Sequence, residues 1–335
     1  MDSVSQLALG AAVGLAVMGR RTARWKAALW GGIAGTLPDL DVLIDFGDAV
    51  RNMTYHRSAS HALLYLSLAS PLLAAIVTRV HGETGLFRRW WLALWLALVT
   101  HPLLDAMTVY GTQLALPFTD HPFGMGSIFI IDPLYTLPLL VGIAAALGSR
   151  RVDRLHWNAA GLVLSTVYLG WSVLAQQQAL AVARESLAAQ GVAVQQLMAT
   201  PTAFNTVLWR IVAVSPEAHW EGFYSLLDEG RQIPFDRFDR GQALYEALRD
   251  HEPVQRIAWF SKGYFKMQVR DGQVLMSDLR MGQEPFYVFT FRMAQLRSDP
   301  VPLARPEQVG SRPDLAEALP WLWRRAWGEP LRPPR

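Results

Sequence analysis

The stretch 88-RRWWLALWLALVTHPLLDAMTVYGT-112 reads as a lipid-crossing helix up to Thr100, then sets a histidine and an aspartate four residues apart in the same apolar run. An ionisable side chain in hydrocarbon is costly unless it is paired, hydrated or metal-bound. His101 and Asp105 therefore decide both what this segment is and what it is for. On a helix the two side chains share a face one turn apart, and Pro102 loosens the local helix between them.

The whole chain supports a membrane setting. Of 335 residues, 51% are hydrophobic and only 18% charged, against about a quarter in ordinary soluble domains. Residues 1–178 carry the long apolar runs, and 179–335 hold most of the charges. Spanning hydrocarbon takes roughly 20 apolar residues, and six segments qualify as predicted spans: 4–19, 27–46, 60–78, 90–109, 127–147 and 157–175. No basic residue precedes the first run, so it reads as an uncleaved span rather than a signal peptide. The loops at 20–26, 79–89 and 148–156 hold ten basic residues, including Arg20, Arg88, Arg150 and Arg151, whereas 47–59 and 110–126 hold two, Arg51 and Arg57. The positive-inside rule puts the three basic loops in the cytoplasm and residues 179–335 outside.

The expected fold class is therefore a mainly α membrane protein. A six-span helical bundle over 1–178 is followed by a smaller, β-rich, extracytoplasmic domain with an antiparallel sheet over 179–335. Asp271-Gly272 between two β-branched runs signals a hairpin, and helices are expected over 239–251 and near 313–327. The absence of cysteine excludes disulfides, thiolate metal sites and cysteine nucleophiles. Net charge is only +3 and the arginines sit beside apolar segments, so membrane lipids are expected partners and nucleic acid is not.

The helical half concentrates further polar groups in two other places: Asp39, Asp41 and Asp45 in 37-LPDLDVLID-45, and His56 and His61 in 55-YHRSASH-61. With continuous spans, Asp39 lies about 18 Å from the cytoplasmic end and His101 and Asp105 about 16–22 Å along theirs, at roughly 1.5 Å per residue. All three groups then fall in the outer half of the bilayer, as one shared site requires. Gly31, Gly32, Gly35 and Pro38 weaken regular helix, so an interruption would let Asp39 and Asp41 both face inward; in an intact helix Asp41 and Asp45 pair better. His56 is expected in a loop, with Ser58 or Ser60 capping the following span. Imidazole plus carboxylate without thiolate suits zinc, manganese or iron, as one ion or two. The expected chemistry is phosphoester hydrolysis, with Asp39, Asp41, His56, His61, His101 and Asp105 as ligands, Asp45 or a neighbouring carboxylate accepting a proton, and Arg57 binding a phosphate oxygen or lipid headgroups. Asp132 is expected to start a helix, and His121 to be a loop residue. His81 and His156 fall on the opposite side. The tryptophans, Trp90 and Trp91 among them, read as interfacial anchors.

In order and spacing, "LPDLD", "YHRSASH", "THPLLD", "YGT" and "IFIIDPLYT" resemble the family of bacterial inner-membrane proteins described as LexA-regulated or LexA-binding metal-dependent hydrolases. The resemblance covers residues 1–145. It implies a helical metal site related to those of zinc-dependent phospholipases C and nucleases, with His101 and Asp105 matching His-x-x-x-Asp, and phosphoester hydrolysis as the reaction class. The expected substrate is a lipid or lipid-linked phosphoester reaching the site from the outer leaflet. Two other functions fit an intramembrane His/Asp cluster: a proton or metal-ion transporter, and a scaffold with a structural metal.

Overall fold

The computed structural model describes residues 1–148 and 154–335, so the expected basic-loop residues Arg150 and Arg151 lie outside the described residues. The helical half runs α1 (Ser3–Met18), α2 (Arg24–Thr36), α3 (Ala49–Tyr55), α4 (Leu63–Val80), α5 (Phe87–Ala106), α6 (Pro133–Leu147) and α7 (Leu155–Ala189). A 3-10 segment, Leu37–Leu43, follows α2, and a 3-10 turn, Ala59–His61, precedes α4. The chain divides into two units, Met1–Ile44 with His56–Ser172, and Asp45–Tyr55 with Val173–Arg335.

In the first unit, α1 and α2 cross through facing glycines. A Cβ on Gly10 would lie 2.2 Å from the Gly31 carbonyl oxygen, and one on Gly31 would lie 2.3 Å from that of Gly10. Only residues without side chains let helix backbones approach this closely. Around the crossing, Leu15, Ala27, Ala34, Leu66, Val77, Trp90, Leu94 and Ala97 from α1, α2, α4 and α5 form a buried apolar core.

Each of the six expected spans contains a helix, but among the described residues only α4 and α7 are long and apolar enough to cross a membrane, by length and composition. α1, α2 and α6 have 16, 13 and 15 residues, about 24, 20 and 23 Å of helix against a hydrocarbon core of ~30 Å. α5 has 20 residues but carries Arg88, Arg89, His101 and Asp105. The expected span over 27–46 departs most. Pro38 has no N–H to offer the Ala34 carbonyl, and the chain leaves α-helix at Thr36 and tightens into the 3-10 segment. Pro102, by contrast, is carried inside α5.

The second unit is sheet-rich. Its elements are β1 (Gln196–Pro201), β2 (Leu208–Val214), β3 (Ala218–Ser225), β4 (Asp236–Asp239), α8 (Gln242–Leu248), α9 (Glu252–Phe260), β5 (Phe265–Arg270), β6 (Gln273–Asp278), β7 (Gly282–Gln283), β8 (Phe286–Tyr287), β9 (Thr290–Leu296), β10 (Pro300–Gln308) and α10 (Leu315–Ala326). Instead of one antiparallel sheet there are two, ordered β1-β2-β3-β4 and β10-β9-β6-β5, with a two-stranded β7-β8 ribbon. Asp271 and Gly272 turn β5 into β6 with φ of 51° and 69°, the positive values that a two-residue hairpin demands. The last turns of α7 bury Ala175, Ala179, Val182 and Ala183 against Trp209, Ile211 and Tyr224.

A buried charge cluster links the two sheets. Glu284 accepts from Lys266 Nζ at 2.6 and 2.8 Å and from His219 Nε2 at 3.0 Å, and its backbone N–H reaches Glu221, which pairs with Arg210 at 2.6 Å. Burial alone would push the Glu284 carboxyl up, but His219 and Lys266 outweigh it and hold it at about 2. Burial pushes the His219 imidazole down, outweighing the pull of Glu284. Its Nδ1 has no hydrogen-bond partner, as suits a neutral ring.

Two tests follow from this packing. Gly31→Ala should lower the unfolding temperature of the purified chain by several degrees, since overpacking costs about 1–3 kcal/mol. Gly170→Ala, where an added Cβ meets nothing within 4 Å, should be neutral or stabilising; equal behaviour of the two variants would contradict the close crossing. Acidification should weaken the sheet unit, because His219 and Glu284 both bind protons less readily folded than unfolded. The loss begins as pH falls below about 6.5 for His219 and about 4.3 for Glu284, the latter continuing toward about 2. Hydrogen exchange of β2 and β3 amides in the full chain should show opening become easier from pH 7 to 5. His219→Gln, which keeps a donor near Glu284, should flatten that dependence.

Candidate metal centre

Four side chains from three segments of the first unit converge: Asp39 of the 3-10 segment, His61 of the 3-10 turn, and His101 and Asp105 of α5. Each imidazole is aimed by a contact on its far side. His101 Nδ1–H donates to the Gly35 carbonyl at 2.7 Å, so its Nε2 points inward. His61 Nδ1–H is taken by Ser60 Oγ at 2.9 Å, and the Ser60 hydroxyl donates to Asp41 Oδ2 at 2.6 Å. The His61 Nε2 thus also points inward, 3.1 Å from that of His101. Outer partners of this kind are what hold metal-binding histidines in orientation.

The remaining distances share one scale. Asp39 Oδ1 lies 3.4 Å from His61 Nε2 and 3.5 Å from His101 Nε2, and Asp105 Oδ2 lies 3.4 and 3.3 Å from the same atoms. Four donors placed about 2.0–2.1 Å from one ion at tetrahedral angles are separated by about 3.3–3.4 Å. The last pair, the two carboxylate oxygens, lies within 4.8 Å. Asp39 Oδ1 and Asp105 Oδ2 are both buried and accept no hydrogen bond. Burying a carboxylate oxygen without a hydrogen bond is costly; Arg57 Nε, 3.3 Å from Asp105 Oδ2, offsets part of that charge, and both oxygens face the gap between the imidazoles. The donor set, its spacing and its unfilled valences all fit a divalent ion. His61, His101 and Asp105 are fully buried, whereas Asp39 is 21% exposed and marks the open side.

The other oxygen of Asp105 is clamped from α1 by Gln6 Nε2 at 2.9 Å and by the Met1 amino group, and Gln6 also donates to the His101 carbonyl at 3.2 Å. Gln6 is not ionisable, so its only mark in the sequence is an amide within the apolar run of α1. Arg57, at φ 64°, is buried with its Nε 3.3 Å from Asp105 Oδ2, and its guanidinium lies 5.0 Å from the Tyr110 ring centre. It is part of the interior rather than a headgroup-facing loop residue.

Asp41 and His56 are close to the four but stand outside them. Asp41 accepts from His56 Nδ1 at 2.7 Å, from the Arg57 backbone N–H at 2.9 Å and from Ser60, so its oxygens are already filled. The interruption after α2 turns Asp39 and Asp41 inward onto different partners. Ser60 therefore orients a histidine rather than capping α4, and Ser58 caps nothing either. Asp45 does not join the group. It is exposed and accepts from the Gly47 N–H at 2.9 Å and Asn52 Nδ2 at 3.2 Å, so the pairing of Asp41 with Asp45 that an intact helix would give does not occur. Asp132 caps α6 through the Leu134 and Tyr135 N–H groups and accepts from Tyr168. His121 is exposed beside Phe123, and His81 Nε2 accepts from Trp30.

Comparison with known proteins agrees with the membrane reading. The model of the YdjM inner membrane protein family matches residues 1–179. The uncharacterised protein YfhP of Bacillus subtilis (strain 168) is 24% identical over 281 residues, covering 79% of this chain and 81% of its own length. The inner membrane protein YbcI of Escherichia coli (strain K12) is 37% identical over 94 residues, 27% of this chain and 53% of its own. No solved structure matches the chain. The matched region spans more than half of the sequence and includes all four converging side chains, and the chain belongs to the YdjM inner membrane protein family.

Proposed function

We propose that this chain is a membrane-bound metal-dependent hydrolase acting on a phosphoester. In this reading Asp39, His61, His101 and Asp105 hold one divalent ion, zinc being the best match to two imidazoles and two carboxylates at tetrahedral spacing. The observation that carries the reading is the pair of buried carboxylate oxygens that accept no hydrogen bond and face two inward Nε2 atoms at 3.3–3.5 Å. A bound ion of this kind supplies Lewis acidity toward a phosphoryl oxygen and lowers the pKa of water.

The remaining groups divide the work. Arg57, beside Asp105, offsets one carboxylate charge and offers a fixed cation to an anionic substrate. His56 is the proton-handling residue in place of Asp45. Its Nδ1–H is held by Asp41, its ring lies 6.0 Å from that of His61, and its side chain is 23% exposed, which leaves Nε2 free to take or give a proton. The 3-10 segment beside the open side turns Leu40, Val42, Leu43 and Ile44 outward, which favours a lipid or lipid-linked phosphoester as substrate. We place the site toward the outer face of a multi-pass inner-membrane domain, and residues 179–335 on that outer side, from the loop charges alone.

Two observations favour a hydrolase over its rivals. A transporter needs a line of polar groups along the helices, but the core among α1, α2, α4 and α5 is filled by Ala27, Ala34, Val77, Trp90 and Ala97. A structural ion is shut away from solvent by its ligands, whereas Asp39, 21% exposed, is the ligand on the solvent side, where water or a phosphoryl oxygen could take its place.

Purified protein should contain about one zinc, manganese or iron per chain, with His101→Ala losing it together with any activity found in a phosphoester and phospholipid screen. Metal-free wild type, or unchanged metal in His101→Ala, overturns the site. His56→Ala should keep its metal while kcat falls by about 10²–10⁴ and the pH profile of the residual activity loses one limb. An unchanged profile would remove His56 from proton transfer.

A further inference from the structure

The last helix, α10, is anchored on one side only. Asp314 caps it through the Ala316 N–H at 2.9 Å. Ala318, Trp321 and Arg325 are buried, the Trp321 ring meets Phe223 edge-on at 5.0 Å, and Arg325 grips Asp228 at 2.7 Å and the Phe223 carbonyl at 2.9 Å. These contacts fix the rotation of the helix about its axis. The face so turned outward carries Leu315, Leu319 and Trp323 at successive four-residue steps, with Trp327 just beyond the end, and they are 66%, 46%, 67% and 61% exposed. Ala316 and Pro320 fill in the same arc, and the charged Glu317 and Arg324 lie at its far edge.

From this we infer that the Leu315–Leu319–Trp323–Trp327 face of α10 docks on the surface of the lipid bilayer, with the helix lying in the interfacial plane. Leucine and tryptophan on one face and charges at the edge are what an interfacial helix presents. Tryptophan in particular prefers the headgroup boundary, where its ring is dehydrated while its N–H stays wet. Exposed Arg312 and Arg332 flank the helix and complement anionic headgroups. Chain connectivity brings a bilayer within reach: α7, one of two helices among the described residues long and apolar enough to cross, leads through residues 190–195 directly into β1 of this unit.

The chain has no cysteine, so Leu319→Cys, Trp323→Cys and Glu317→Cys each create one site for a nitroxide label. The full chain is reconstituted in phosphatidylcholine–phosphatidylglycerol vesicles, and collision with oxygen is compared with collision with an aqueous nickel chelate. Labels at 319 and 323 should favour oxygen and the label at 317 should favour the chelate. Equal chelate access at all three positions would mean that the face stands free in water. Exclusion of both reagents at 319 and 323 would mean that protein, such as a second copy of the chain, covers it. Either result overturns the proposal.

Discussion

Two imidazole lone pairs, on His61 and His101, point at each other across 3.1 Å, and the rest of the first unit is arranged so that they do. Left alone, two neutral nitrogens facing this closely repel, as do the two carboxylates beside them. The arrangement holds because each ring is committed elsewhere through Nδ1, to Gly35 and to Ser60, and because Asp105 is clamped from α1 by Gln6. A divalent cation would turn the two facing lone pairs and the two carboxylates into ligands, which is why the spacing carries more weight than the list of residue types.

That geometry depends in turn on the α1–α2 crossing. Gly35, which orients His101, and Gln6, which orients Asp105, both lie beside the glycine contact, where a Cβ on Gly35 would fall 2.6 Å from the Gln6 carbonyl. The same backbone proximity that removes side chains from the crossing thus sets the distance between two supports of the site. The 3-10 segment then swings Asp39 in from the end of α2.

Much of the site was legible in the sequence, but unevenly. His101 and Asp105 declared themselves because an i, i+4 pair in an apolar run allows little else. Which of Asp39, Asp41 and Asp45 would join them could not be read, because the answer turns on where α-helix gives way to 3-10 helix, a change of about 10–20° in ψ per residue that composition does not encode. Assuming helix through 46 made Asp45 a candidate; ending it at Thr36 removed it. In the second unit the hairpin at Asp271-Gly272 was written in two residues, whereas the split into two sheets rests on pairings between distant strands for which no local signal exists.

Asp41 shows what a group outside the converging four contributes. Three donors converge on it: the His56 ring, the Arg57 backbone N–H and the Ser60 hydroxyl. An amide of the same shape would have to turn its NH₂ away from the fixed backbone N–H and toward His56, and the imidazole would then shift to its other tautomer, with the hydrogen on Nε2. The negative charge of Asp41 therefore determines which nitrogen of His56 is basic, and so the direction in which that ring can pass a hydrogen ion.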